Sequence, residues 1–182
     1  MGSNTVEVED VTSTTGATMK TFLTKNTFVL GLNFPRLRLA IQGLRDGYSG
    51  ADFAEVGREI GVNKIEVYVS DISHPASYAS AEDGDFFVLS QSLHSAFNVD
   101  RHVIVHEACH AIQDWSQWRC SKLDREVDAH FGQALFLVRS GDEKTASMIP
   151  PRLVPFLSAA RQYDDDAGYL KSFAFRKVLN KL

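Results

Sequence analysis

Residues 103–112 read Val-Ile-Val-His-Glu-Ala-Cys-His-Ala-Ile, and no other segment constrains this chain as tightly. Apolar residues recur at helical spacing around His106, Glu107 and His110, an HExxH arrangement. On a helix, residues four apart share a face, so both imidazoles can offer a nitrogen to one zinc ion. Glu107, beside the first histidine, then points at the zinc-bound water. Zinc lowers the pKa of that water towards ~7, and a neighbouring carboxylate can take its proton as attack begins. Shuffling a chain of this composition would produce the motif in roughly one case in a hundred. The fold must therefore contain a helix that buries one stripe and presents two histidines on another.

The rest of the chain organises around that helix. Residues 34–48 mix Leu37, Leu39, Ile41 and Leu44 with Arg36, Arg38 and Arg45 and read as a helix, weakened by Gly43 and Gly47. A shorter helix fits residues 51–60, with Gly61 as its stop. Residues 64–70 alternate strictly, with Ile65, Val67 and Val69 on one face, as in a half-buried strand. A loop is expected over residues 71–84, then a second strand over residues 85–91. Asn98 or Asp100 can cap the HExxH helix, which runs to about Trp115. Ser121 can cap the next helix, residues 122–140, which Gly141 closes. A final helical region begins at Leu153, with Pro155 in its first turn. Helices, two strands, then helices make an α+β chain with a small sheet.

A catalytic zinc needs a third protein ligand and one open position. The metzincin extension would need Gly at position 113 and His at 116, where Gln113 and Ser116 stand. A deformylase-type site would need an upstream cysteine, but Cys109 and Cys120 lie within or after the motif. The remaining source is the following helix, which offers Glu126. If the two helices form an antiparallel hairpin turning near Trp118 and Arg119, His110 and Glu126 lie equally far from the turn. At ~1.5 Å per residue they come out level. Ala129, on the same face, is small enough to let the helices approach. Asp128 and His130 are rival ligands.

Together His106, Glu107, His110, Glu126 and Ala129 resemble the gluzincin metallopeptidases, whose HExxH is followed on a later helix by a glutamate ligand, often as ExxA. The resemblance covers about 50 residues and matches the minimal, short-spaced members of the zincin superfamily. It implies a zincin-like domain with a short, mostly antiparallel sheet and a zinc-dependent peptide hydrolase acting on a protein or peptide substrate. It also implies an edge strand that aligns extended substrate, expected at residues 86–91. The thermolysin-type pattern has an aspartate one turn after the glutamate, supporting a zinc histidine. Here His130 holds that place, so support must come from elsewhere, with Asp128 one candidate, or His130 must act as a neutral acceptor.

Composition removes other classes. The 182 residues carry a net charge of −4, against a protein that binds nucleic acid by neutralising phosphates. No apolar run approaches the ~18–20 residues of a membrane span. Two cysteines are too few for a disulfide scaffold and suit a reducing compartment. Residues 1–20, rich in Ser, Thr, Gly and acids, lack the pattern of a signal peptide and read as a disordered leader before a single domain over residues 21–182. A cytoplasmic location is expected, with export by another route left open. Two further functions remain alongside the peptidase: an inactive metal-binding regulatory protein, and a secreted effector protease with one protein target.

Lesser features have plainer readings. His102, one turn before His106, reads as a solvated histidine near a helix start, or as an extension of the polar cleft. Cys109 reads as a small core residue. Trp115 and Trp118 read as hairpin bracing, and Asp164, Asp165 and Asp166 as a solvated run without calcium-loop spacing. An oxyanion donor, commonly Tyr, His or Arg, is also needed. Tyr163 and Tyr169 are the first candidates, with Tyr78, His94 and Arg161 behind them; none has a spacing argument.

Overall fold

Local capping chemistry sets several helix ends. The Asp52 carboxylate accepts from both the backbone N–H and the hydroxyl of Ser49, each at 2.7 Å, and opens helix α3, Gly50–Gly61. Ser121 accepts from the Asp124 N–H at 3.1 Å and opens α5, Lys122–Ser140. Gly141 ends α5 in the left-handed region at φ 68°, where a side chain would be strained. These boundaries match the sequence reading within a residue or two.

The computed structural model describes residues 5–35, 47–62, 64–80, 82–91, 101–117, 121–142 and 151–165. Its remaining elements are α1 (Thr5–Lys25), α2 (Thr27–Leu30), β1 (Phe34–Pro35), β2 (Gly47–Tyr48), β3 (Glu66–Ser70), β4 (Ala76–Ala79), β5 (Phe86–Ser90), α4 (Arg101–Trp115), a 3-10 turn (Pro151–Leu153) and α6 (Val154–Asp165). The fold is mixed α+β. Pro155 lies in the first turn of α6, where its missing N–H costs nothing. No described helix is long and apolar enough to cross a membrane.

The main sheet has the order β3-β5-β4. β5 pairs parallel to β3, Val67 opposite Phe87, and antiparallel to β4, Tyr78 opposite Phe87. β1 and β2 form a separate antiparallel pair with Phe34 opposite Tyr48. Two of the three described pairings are thus antiparallel. In β3, Val67 is buried between exposed Glu66 and Tyr68, the alternation its sequence displays.

Three expectations give way. The segment read as a disordered leader is helical from Thr5, and α1 packs on α3 and β3. Thr15, Met19, Phe22 and Leu23 form its buried stripe. Its threonines are tolerated because Thr18, Thr21 and Thr24 each bond the carbonyl one turn back, at 2.7–2.9 Å. The ends of the expected 34–48 helix are instead β1 and β2; residues 36–46 lie outside the described ones. Phe34 stacks on Tyr48 at 4.4 Å, a contact between residues far apart in the chain. The expected 71–84 loop contains β4. Ala, Ser, Tyr and Ala have little strand propensity as a group, and it is the ladder to β5 and the burial of Ala76 that hold them extended.

The core runs from α1 and α3 through the sheet into the α4–α5 hairpin and α6. Phe53, Phe87, Phe131, Met19, Ile104 and Leu135 are fully buried in it. Where α4, α5 and β1 meet, Gly132 is required for space. A Cβ there would fall 2.9 Å from both the Cys109 Sγ and the Phe34 ring.

Candidate metal centre

The α4–α5 hairpin aligns four rungs of side chains. Gln113 reaches the Arg125 carbonyl, His110 meets Glu126, His106 lies against His130, and His102 meets Gln133. As numbers on α4 fall, their partners on α5 rise, so the helices are antiparallel. Helical spacing then places His106, His110 and Glu126 together at the middle of the hairpin. The expected turn residues Trp118 and Arg119 lie outside the described residues, as do Cys120 and the expected caps Asn98 and Asp100.

Three donor groups converge there. The Nε2 atoms of His106 and His110 are 3.2 Å apart. The Glu126 Oε2 is 3.5 Å from His106 Nε2, and its Oε1 is 3.6 Å from His110 Nε2. All ligand atoms of the trio lie within 4.8 Å of one another, so the group can hold a metal ion. The donor set also suits a cation. Burial lowers the His106 pKa to about 4 and keeps its imidazole neutral. The His106 imidazole it meets pulls the Glu126 carboxyl down to about 2 despite partial burial. The neutral His106 imidazole, the His110 ring and an ionised carboxylate make a compact donor site for a cation.

Glu107 lies beside the trio rather than in it. It is buried between α4 and β4, and its Oε2 accepts the backbone N–H of Tyr78 at 2.9 Å. Burial pushes its carboxyl up to about 8; the Tyr78 N–H opposes the shift, while the Glu126 charge adds to it. The strand beside α4 is therefore β4. The expected position at residues 86–91 fails, because β5 is the central strand with β3 and β4 on either side.

The rival ligands separate cleanly. Asp128 faces away from the trio, buried, and accepts from the Tyr48 hydroxyl at 3.2 Å. His130 stays near the trio, its Nε2 4.0 Å from Glu126 Oε2 and its ring 4.5 Å from that of His106. Its Nδ1 lies 3.2 Å from Gln133 Oε1, and Gln133 Nε2 lies 2.7 Å from His102 Nδ1. His102 is thus buried in a polar chain, not solvated. Cys109 is fully buried, as a core residue should be, and burial pushes its thiol up. Trp115 braces α4 against the sheet through Asp85 Oδ2 at 3.3 Å.

Support differs between the two histidines of the trio. His110 Nδ1 lies 2.9 Å from Gln113 Oε1, and Gln113 Nε2 donates to the Tyr48 hydroxyl at 2.7 Å. Asp128 therefore reaches His110 through two intermediaries. His106 Nδ1 is buried with no partner among the described residues.

Among the described residues, no oxyanion candidate is seen to reach the trio. Tyr163 is buried on α6 and donates to the Asn33 carbonyl at 3.0 Å. The Tyr78 hydroxyl bonds Asp85 at 2.7 Å and Asp114 at 3.3 Å, and Arg161 is exposed on α6. Tyr169 and His94 lie outside the described residues. Gln113, Gln133, Tyr48 and the N–H of Tyr78 escape sequence reasoning. Only the two glutamines carry a signal, each standing three residues after a histidine on its own helix. No protein-family model matches the chain, and neither does any curated protein or solved structure.

Proposed function

We propose that this chain is a zinc-dependent peptide hydrolase in which His106, His110 and Glu126 hold the ion and Glu107 is the general base. One observation carries the reading: the two imidazole Nε2 atoms stand 3.2 Å apart, and each has one Glu126 oxygen near it, Oε2 at 3.5 Å from His106 and Oε1 at 3.6 Å from His110. Zinc bonds of about 2.0–2.1 Å in a tetrahedron imply donor separations of roughly 3.3–3.4 Å. Three protein donors also leave one position open, as catalytic rather than structural zinc requires. A zinc ion bound there supplies Lewis-acid chemistry.

The chain's own residues supply the proton chemistry and the alignment. Glu107, with its carboxyl raised to about 8 by burial, is matched to taking a proton from attacking water and passing it to the leaving amine. The Tyr78 N–H holds that carboxylate beside the cluster. β4 is a sheet edge next to α4, to which an extended peptide can add as a further strand.

The test has two stages. Mass spectrometry of purified protein should find about one zinc per chain, lost or much weakened in Glu126→Ala. Glu107→Gln should retain the zinc and lose peptide hydrolysis by about 10²–10⁴-fold. A wild-type protein without tightly bound metal would overturn the assignment.

One observation favours a second reading, a metal-binding regulatory protein without turnover: no candidate oxyanion donor among the described residues reaches the trio. In that case Glu107→Gln leaves the biology unchanged. An effector protease with one target would instead ignore casein and lose its effect on that same substitution.

A further inference from the structure

Gln113 lies one turn after His110 on α4 and joins the metal cluster to the buried interior. Its Nε2 donates to the Arg125 carbonyl at 3.0 Å and to the Tyr48 hydroxyl at 2.7 Å. A carbonyl oxygen can only accept, so the Arg125 contact decides which end of the amide is nitrogen. The Oε1 end then faces His110 Nδ1 at 2.9 Å, and it too can only accept. A neutral His110 must therefore carry its proton on Nδ1, which leaves the Nε2 lone pair aimed at His106 and Glu126. Tyr48 receives its bond from Gln113, so its own proton goes to Asp128 Oδ2 at 3.2 Å. The donors run in one direction: His110 to Gln113, Gln113 to Tyr48, Tyr48 to Asp128.

Gln113 is 2% exposed, Tyr48 3% and Asp128 5%, so water does not compete for these bonds. Reversing one of them would leave a buried donor or acceptor unpaired. Tyr48 comes from β2, pairs with Phe34 of β1 and stacks on it at 4.4 Å. Nothing in the cluster itself calls for a contact with that strand pair.

We propose that Gln113 and Tyr48 are positioning residues of the metal centre: they hold His110 in the tautomer that presents Nε2, and they couple the β1–β2 pair to metal loading. The proposal rests on the reading that an ion binds at His106, His110 and Glu126. Binding and pairing are then reciprocal, so metal protects the Tyr48 amide and an intact Tyr48 tightens the metal.

Two measurements test it. Nitrogen-15 NMR of the metal-free protein reads the His110 tautomer directly. The wild type and Gln113→Glu, which keeps the acceptor oxygen, should show the proton on Nδ1, and Gln113→Leu should not. Zinc affinity by competition with a chromophoric chelator should fall about 10–100-fold in Gln113→Leu and in Tyr48→Phe. Circular dichroism confines the comparison to folded protein. Tyr48→Phe removes a single oxygen and keeps the test alive if Gln113→Leu does not fold. A wild-type His110 protonated on Nε2 would overturn the proposal. So would zinc binding of wild-type strength in folded Gln113→Leu and Tyr48→Phe. A wild type that takes up no zinc would instead sink the zinc reading, a result the variants cannot mimic.

Discussion

Glu107 and Glu126 are one residue type in two environments, and their surroundings give them opposite character. Burial against β4 raises Glu107, while the imidazole contact lowers Glu126, so one suits proton transfer and the other ligation. The difference predicts different outcomes for the same substitution. Glu126→Gln removes the charge facing two imidazoles and should cost at least about tenfold in zinc affinity, read by chelator competition. Glu107→Gln keeps an oxygen able to accept from the Tyr78 N–H and should leave zinc content unchanged. That His106 and His110 share a face of α4 was legible from helical periodicity, which is short-ranged, and that Glu126 meets them was legible from its matching distance to the expected turn. The support given to His110 was not. Gln113 stands where the metzincin extension would need glycine, and its partners come from β2 and α5.

At the scale of elements, the α4–α5 hairpin holds the site, and its closeness depends on small residues. Ala129 is fully buried, as expected, and Gly132 is surrounded by Cys109 and Phe34. Gly132→Ala improves intrinsic helix propensity by up to about 1 kcal/mol, yet the added methyl meets two neighbours at 2.9 Å. Overpacking of this kind costs about 1–3 kcal/mol and should win. Urea denaturation should show a lower midpoint, and zinc affinity should fall as the helices separate. A midpoint above wild type would mean that the neighbours move aside freely. β4 teaches the complementary lesson. Its sequence reads as a loop, with Pro75 before it and Gly84 after it, and the extended form is held by β5.

For the whole molecule, α1 matters most among the unexpected features. Its stripe covers β3 and α3, on the far side of the sheet from the β4 edge. Met19 is fully buried, so Met19→Ala should destabilise by about 2–5 kcal/mol in chemical denaturation. Removing residues 1–20 should then lower stability too, whereas loss of a disordered leader would leave the denaturation curve unchanged. Zinc at a hundredfold excess over its dissociation constant should add about 2.7 kcal/mol, visible as a melting temperature that falls on chelation. What the residues specify alone is what neighbours in the chain decide: the spans of α3, α4 and α5, the caps at Ser121 and Gly141, and the faces of α4 and α5. A helix closes its hydrogen bonds within four residues, so periodicity and capping reveal it. The leader's helix, β4, the β1–β2 pair, the buried His102 and the Gln113–Tyr48–Asp128 chain were decided only on folding. Each depends on a partner distant in sequence, for a strand has no internal hydrogen bonds and a buried polar group is satisfied by whatever the fold brings to it.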